Sequence, residues 1–231
     1  MPFGTTSWTA ERMRLNALPG GGWEHDCPVG FAIVGEGRGH RLYGATRNLP
    51  APTHLGPDDH SGMITFLNNR ARGLCDIFNK RQAEFVDHYF SFIRDHLTEN
   101  AAEVDAMAAN FGGLFAREHW LFAAFAPLPQ AHIYVGGEGG ERFVLAPLAL
   151  WVDDGCIAIY FSSVEPTGGK TAQHQMRLRD AGVTVLELDE ADHATPAALA
   201  SALPGAAKYF WRSQPLPLGP FAPDLAEELL G

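Results

Sequence analysis

A chain of 231 residues with 46% hydrophobic and 19% charged side chains can bury a sizeable core, which excludes general disorder and favours one domain with an extension. Its formal charge of −10 argues against a protein that coats nucleic acid through its overall field, so any such contact has to be local. Cys27, Cys75 and Cys156 are odd in number and outside any C-x-x-C pattern, the usage of reduced thiols in a cytoplasmic protein, and neither a secretory leader nor a membrane span is expected.

Residues 1–60 are rich in Gly and Pro, with breaks at Leu18-Pro19-Gly20-Gly21-Gly22 and Asn48-Leu49-Pro50-Ala51-Pro52. Short strands are predicted at Phe31–Val34 and His40–Ala45, which makes this part a small β-containing extension. Residues 61–126 form a helical segment. Ser61 is a fitting N-cap, and Ile64, Leu67, Leu74, Phe78, Phe85, Tyr89, Phe92 and Leu97 recur at helical spacing, as one long helix or two broken near Gly73. Thr98 is expected to cap a second helix over Glu99–Phe111 that Gly112-Gly113 stops, and Phe115–Phe125 to form a third before Pro127. Residues 127–213 hold the α/β core. Leu145–Trp151 and Cys156–Ser162 are apolar runs of strand length joined by Val152-Asp153-Asp154-Gly155, a strong hairpin signal. A basic helix over Thr171–Ala181 follows, Gly182 ends it, and Val183–Leu188 resumes a strand. Thr195-Pro196 starts a short helix by the cap-then-proline rule, and residues 214–231 are a Pro-rich extended tail.

The order strand, strand, helix, strand, with the wording Arg177-Leu178-Arg179-Asp180-Ala181-Gly182-Val183-Thr184-Val185, resembles the restriction-endonuclease-like superfamily, the PD-(D/E)XK nucleases. Within it the chain looks like the branch of very-short-patch-repair-type endonucleases, over residues 127–211. The resemblance implies an α/β or α+β fold with a mixed central sheet flanked by helices. It also implies a site in which an Asp of the first hairpin strand and a Glu-x-Lys or Glu-x-Asp of the second hold Mg²⁺, which activates water. Carried onto this chain, Pro147 stands near the expected Asp, Tyr160 at the expected Glu and Ser162 at the third position. No Asp or Glu occurs between Phe143 and Val152, or between Cys156 and Val164, in any register.

The expectation is therefore a pseudonuclease without metal or cofactor, a nucleic-acid-binding or scaffold subunit in a nucleic-acid-processing or prokaryotic defence assembly. Nucleic acid, and a protein partner or a second copy of the chain, are its expected partners, with no membrane. Two basic clusters suit phosphate contact: Arg70, Arg72, Lys80 and Arg81 on the long helical stretch, and Lys170, His174, Arg177 and Arg179 on the helix after the hairpin. The plainer reading of both is a solvated face. One alternative is an active Mg²⁺-dependent endonuclease with displaced acids, drawing on Asp153, Asp154, Glu165 and Lys170, although Asp at a hairpin tip is ordinary turn chemistry. The other is a protein-binding adaptor that docks through Phe115–Phe125 and the tail, with Phe210 and Trp211 as anchors.

Several further patterns weigh towards plain structure. Gly168-Gly169-Lys170-Thr171 has the setting of a phosphate-binding loop, with Glu187, Asp189 and Glu190 as its acidic strand, but Val164 stands where the motif needs Gly. His54, Asp58, Asp59 and His60 gather metal-ligand types in one loop that solvation explains as well. His119 and Trp120 read as a core-edge pair, and Glu84 and Asp87 as supporting acids or a solvated face.

Overall fold

The computed structural model describes residues 14–17, 23–26, 33–34, 60–76, 79–110, 112, 117, 120, 127–136, 143–152, 155–162 and 169–203. The chain is of the α+β class. Near its start, β1 (Arg14–Ala17), β2 (Trp23–Asp26) and β3 (Ile33–Val34) form an antiparallel sheet in that order. The glycine-rich break at residues 18–22 connects the first two strands. The expected strand at His40–Ala45 lies outside the described residues.

Among the described residues three helices precede the main sheet: α1 (His60–Gly73), α2 (Lys80–Glu99) and α3 (Ala101–Ala109). The break near Gly73 is present. Thr98 does not cap α3, however: it lies within α2, where its hydroxyl donates to the Arg94 carbonyl at 3.0 Å, and Asn100 occupies the junction. A threonine hydroxyl bonds equally well to the carbonyl four residues back, and that bond wins here. α3 stops before Gly112, which has φ +61°. Of the predicted third helix only Arg117 and Trp120 are described; Arg117 bonds the Asp105 carboxylate and holds its pKa below the usual range, and Trp120 is buried.

The main sheet has four strands in sequence order: β4 (Leu128–Tyr134), β5 (Phe143–Val152), β6 (Gly155–Phe161) and β7 (Thr184–Leu188). The first three pair antiparallel, and β7 joins β6 in parallel. Val152 pairs with Gly155, so the predicted hairpin is present and residues 153–154 connect its strands. The parallel pairing needs a crossover, which α4 (Gly169–Asp180) provides. α4 ends in a Schellman motif: the Val183 N–H donates to the Leu178 carbonyl at 2.9 Å and the Gly182 N–H to the Arg179 carbonyl at 3.0 Å. Gly182, at φ +79°, takes the left-handed position this motif requires. After β7 come a 3₁₀ turn (Ala191–His193) and α5 (Pro196–Ala202), whose N-cap Thr195 accepts from the Ala198 N–H at 3.1 Å.

Helices cover both faces of this sheet. On one face Leu148, Leu150, Ile157, Ile159 and Leu188 meet Phe85, Tyr89 and Ile93 of α2 and Leu199 of α5. On the other, Ala131, Ile133, Val144, Ala146, Ala158 and Tyr160 pack with Leu178 of α4. Such a sheet is buried on both sides, which explains why β5 and β6 read as continuous apolar runs. Within it, Pro147 stands in a central strand, where a missing N–H breaks a ladder. The β4–β5 ladder steps from Pro129↔Leu148 to Ala131↔Ala146 without a pair at Pro147, and β5–β6 pairing ends at Leu148↔Ile159. Gln130, across from Pro147, has φ +49°, and Gln82 of α2 accepts its side-chain N–H at 3.0 Å.

Candidate functional site

The carboxyl ends of the parallel strands β6 and β7 form a polar rim, the place where open α/β sheets bind ligands. Arg81, Glu84 and His88 lie one helical turn apart along α2 and look onto it. Arg81 donates to the Ser162 carbonyl and lies 4.0 Å from the Glu190 carboxylate. The Ser162 hydroxyl donates to Glu187 Oε1 at 3.2 Å. The turn beyond β7 is self-capped: Asp189 Oδ1 accepts the N–H groups of Ala191 and Asp192 at 2.8 and 3.0 Å, and Asp192 Oδ2 accepts the Asp189 N–H at 2.8 Å. This turn presents His193, which is buried against Phe161 and whose carbonyl accepts from His88 Nδ1 at 2.6 Å. Burial holds the His193 pKa below the ordinary histidine value, with Glu84 acting in the opposite direction.

The three positions expected to have lost their ligands lie beside this rim. Pro147 is half-buried at the interrupted ladder. Tyr160 is buried, and its hydroxyl donates to the Leu145 carbonyl at 3.2 Å. Burial pushes its pKa up to about 12 against the opposing pull of Arg179, so it stays a neutral phenol. Ser162 is the only one of the three whose side chain reaches a carboxylate, and that carboxylate is Glu187, the β7 residue in register with Tyr160. These side chains do not fit a two-carboxylate Mg²⁺ site, because hard oxygen anions from the hairpin strands are what such a site needs. Among the described residues no three His, Cys, Asp or Glu side chains are placed to hold a metal ion. Asp153, Asp154 and Glu165 lie outside the described residues, as do His54, Asp58, Asp59, His119, Phe210 and Trp211. The thiols of Cys75 and Cys156 are buried and pushed up to about 12, which makes both inert.

The two basic clusters differ in how far their charge is already used. In the first, Arg72 is bound to Asp87 at 2.7 Å, and the other oxygen of Asp87 accepts from Asn68 at 2.9 Å. Arg81 is bound at the rim, Lys80 is exposed, and the Arg70 side chain lies outside the described part of the structure. In the second, Lys170 and Arg179 are exposed at the two ends of α4, while His174 and Arg177 are half-buried on its flanks. Neither Lys170 nor Arg179 takes part in an ion pair among the described residues. Between them along the helix stands Met176, 56% exposed.

Glu190, His193 and the pairing of Ser162 with Glu187 escape a reading of the sequence, because they depend on β7 lying parallel to β6. The spacing Asp189-x-x-Asp192 could have disclosed the capped turn. No family model, curated protein or solved structure matches the chain.

Proposed function

We propose that this chain is a catalytically inert, nuclease-like protein that binds nucleic acid through α4, as a binding or scaffold subunit of a nucleic-acid-processing or defence assembly. The observation that carries this reading is the exposed charge of Lys170 and Arg179 on α4, which pairs with no carboxylate among the described residues, set against the engaged Arg72 and Arg81 of the first cluster. Charge left free on an exposed face is available to phosphate, whereas a guanidinium already bound to carboxylate is not. Nine positions apart, the two charges stand about 13 Å apart along the helix and about half a turn apart around it, so they flank α4 and meet separate phosphates. Support for inert chemistry comes from β5 and β6, which carry no carboxylate, and from Tyr160, whose hydroxyl is committed to a backbone carbonyl. The hairpin, crossover helix and parallel strand stand in the order on which the resemblance to the PD-(D/E)XK nucleases rests.

The test is incubation of the full chain with labelled single- and double-stranded DNA and RNA in Mg²⁺, Mn²⁺ or EDTA, with cleavage and mobility scored together. Retarded mobility without cleavage is expected. A Lys170→Glu, Arg179→Glu variant should bind more weakly with every sequence and lower the salt slope by about one for each phosphate it no longer neutralises. Metal-dependent cleavage that Glu187→Gln removes would overturn the inert reading and make Glu187 a displaced acid. Neither binding nor cleavage would leave a protein-binding adaptor as the better account.

A further inference from the structure

The turn after β7 carries a buried imidazole. His193 is 1% exposed, and among the described residues no group meets either ring nitrogen at hydrogen-bond distance, its own backbone carbonyl being a favourable but weak neighbour. Its ring packs edge-on against Phe161, with centroids 5.2 Å apart. A polar side chain buried this way is already costly when neutral, and the cationic form is costlier still unless a counter-charge is seated against it.

The surroundings do not provide one. α2 brings Arg81, Glu84 and His88; of these Glu84 favours an imidazolium and the other two oppose it. Glu84 is exposed, so water screens its pull. The carboxylates of the turn are engaged, Glu190 by Arg81 and Asp192 by the Asp189 N–H. β7 brings Glu187, which the Ser162 hydroxyl holds, and α5 has no ionisable side chain at all. Burial prevails, and the ring favours its neutral form.

What docks this segment on the body is modest. The His88–His193 carbonyl bond, the Arg81–Glu190 contact and the burial of Leu199 and Leu203 join it to α2. We infer that His193 is an acid-sensitive latch: once protonated, the ring leaves its site, and the segment Asp189–Leu203 lifts from α2 as a local unit while the four-stranded sheet stays formed. Local units of this kind open below the free energy of global unfolding. The sign follows from linkage. The open state binds a proton at the ordinary histidine pKa and the docked state at a lower one, so docking is intact above 6.5 and weakens as pH falls below it.

Amide hydrogen exchange of the full chain between pH 7.5 and 5, corrected for intrinsic rates, tests this. The Leu199 and Leu203 amides bond within the segment at 3.0 and 2.9 Å and report its opening. Their protection is expected to be lower than that of β5 and β6 at acid pH and to fall about tenfold per pH unit below 6.5 until the docked ring itself titrates. His193→Phe keeps ring packing against Phe161 and should flatten that dependence, while a His132→Gln control should leave it. Equal protection of α5 and the sheet at every pH, or an α5 slope untouched by His193→Phe, would overturn the latch. Should the Phe variant fail to fold, histidine titration by NMR in the wild-type chain decides: a His193 ring that titrates at or above the ordinary value also overturns it.

Discussion

His132 of β4 is 2% exposed, and burial pushes its pKa from 6.5 down to about 4, only partly offset by a backbone hydrogen bond to Gln130. Above 6.5 the ring is neutral in folded and unfolded chains alike and contributes no pH dependence. As pH falls from 6.5 towards 4 the unfolded chain takes up a proton that the folded chain refuses, so stability declines through that window and levels off below it. A shift of this size corresponds to about 3 kcal/mol at most. Urea unfolding of the wild-type chain at pH 7 and pH 4.5 should show most of this loss, and His132→Gln should abolish the greater part of the difference. Residues of this kind are the least legible in the sequence. Nothing in the wording of β4 marks His132 as buried, and Pro129, Gln130 and His132 interrupt the alternation that would have announced the strand itself. Tyr160 is the opposite case: its lack of a carboxylate is a fact of the sequence, and the structure adds where its hydroxyl goes.

At the scale of elements, the segments marked by strong local chemistry were readable to within a residue or two. The β5–β6 hairpin is set by two apolar runs and an Asp-Asp tip, α5 by Thr195-Pro196, and the end of α4 by Gly182. At Gly182 a Cβ would meet nothing within 4 Å, so the cost of Gly182→Ala comes from its left-handed backbone alone. Thermal or urea unfolding of that variant should show a loss of roughly 1–2 kcal/mol. An unchanged midpoint would mean that the Schellman turn relaxes without penalty. What local chemistry could not reveal was competition and distance. Thr98 satisfied its hydroxyl inside α2 instead of capping α3, and β1 and β2 carry too few residues for their period to show.

At the scale of the molecule, the candidate site exists because strands distant in sequence lie side by side. Tyr160 and Glu187 share a register only through the crossover of α4, and Arg81 reaches Ser162 only because α2 crosses the same end of the sheet. The fold class was legible from the order of elements; the rim was not, since no spacing in the sequence relates residue 81 to residue 162. The two coverings of the sheet are also unequal. α2 contributes eight buried side chains, Phe85, Tyr89 and Phe92 among them, whereas α4 contributes Leu178 alone. The side that carries Lys170 and Arg179 is therefore the side with the thinner apolar anchor.

The mixed pairing of the sheet has a consequence in time. β5 and β6 meet across a two-residue tip, whereas Ile157 of β6 must wait for Thr184 of β7 until α4 has formed and swung back. Closing the short loop sacrifices little chain entropy and closing the long one sacrifices more, so the hairpin belongs to the nucleus and β7 arrives late. Chevron analysis should give Ile157→Val a φ-value of about 0.5–0.8 and Leu188→Ala one of about 0–0.3. Damage to β7 would then shorten the lifetime of the native state while refolding proceeds at nearly its normal speed.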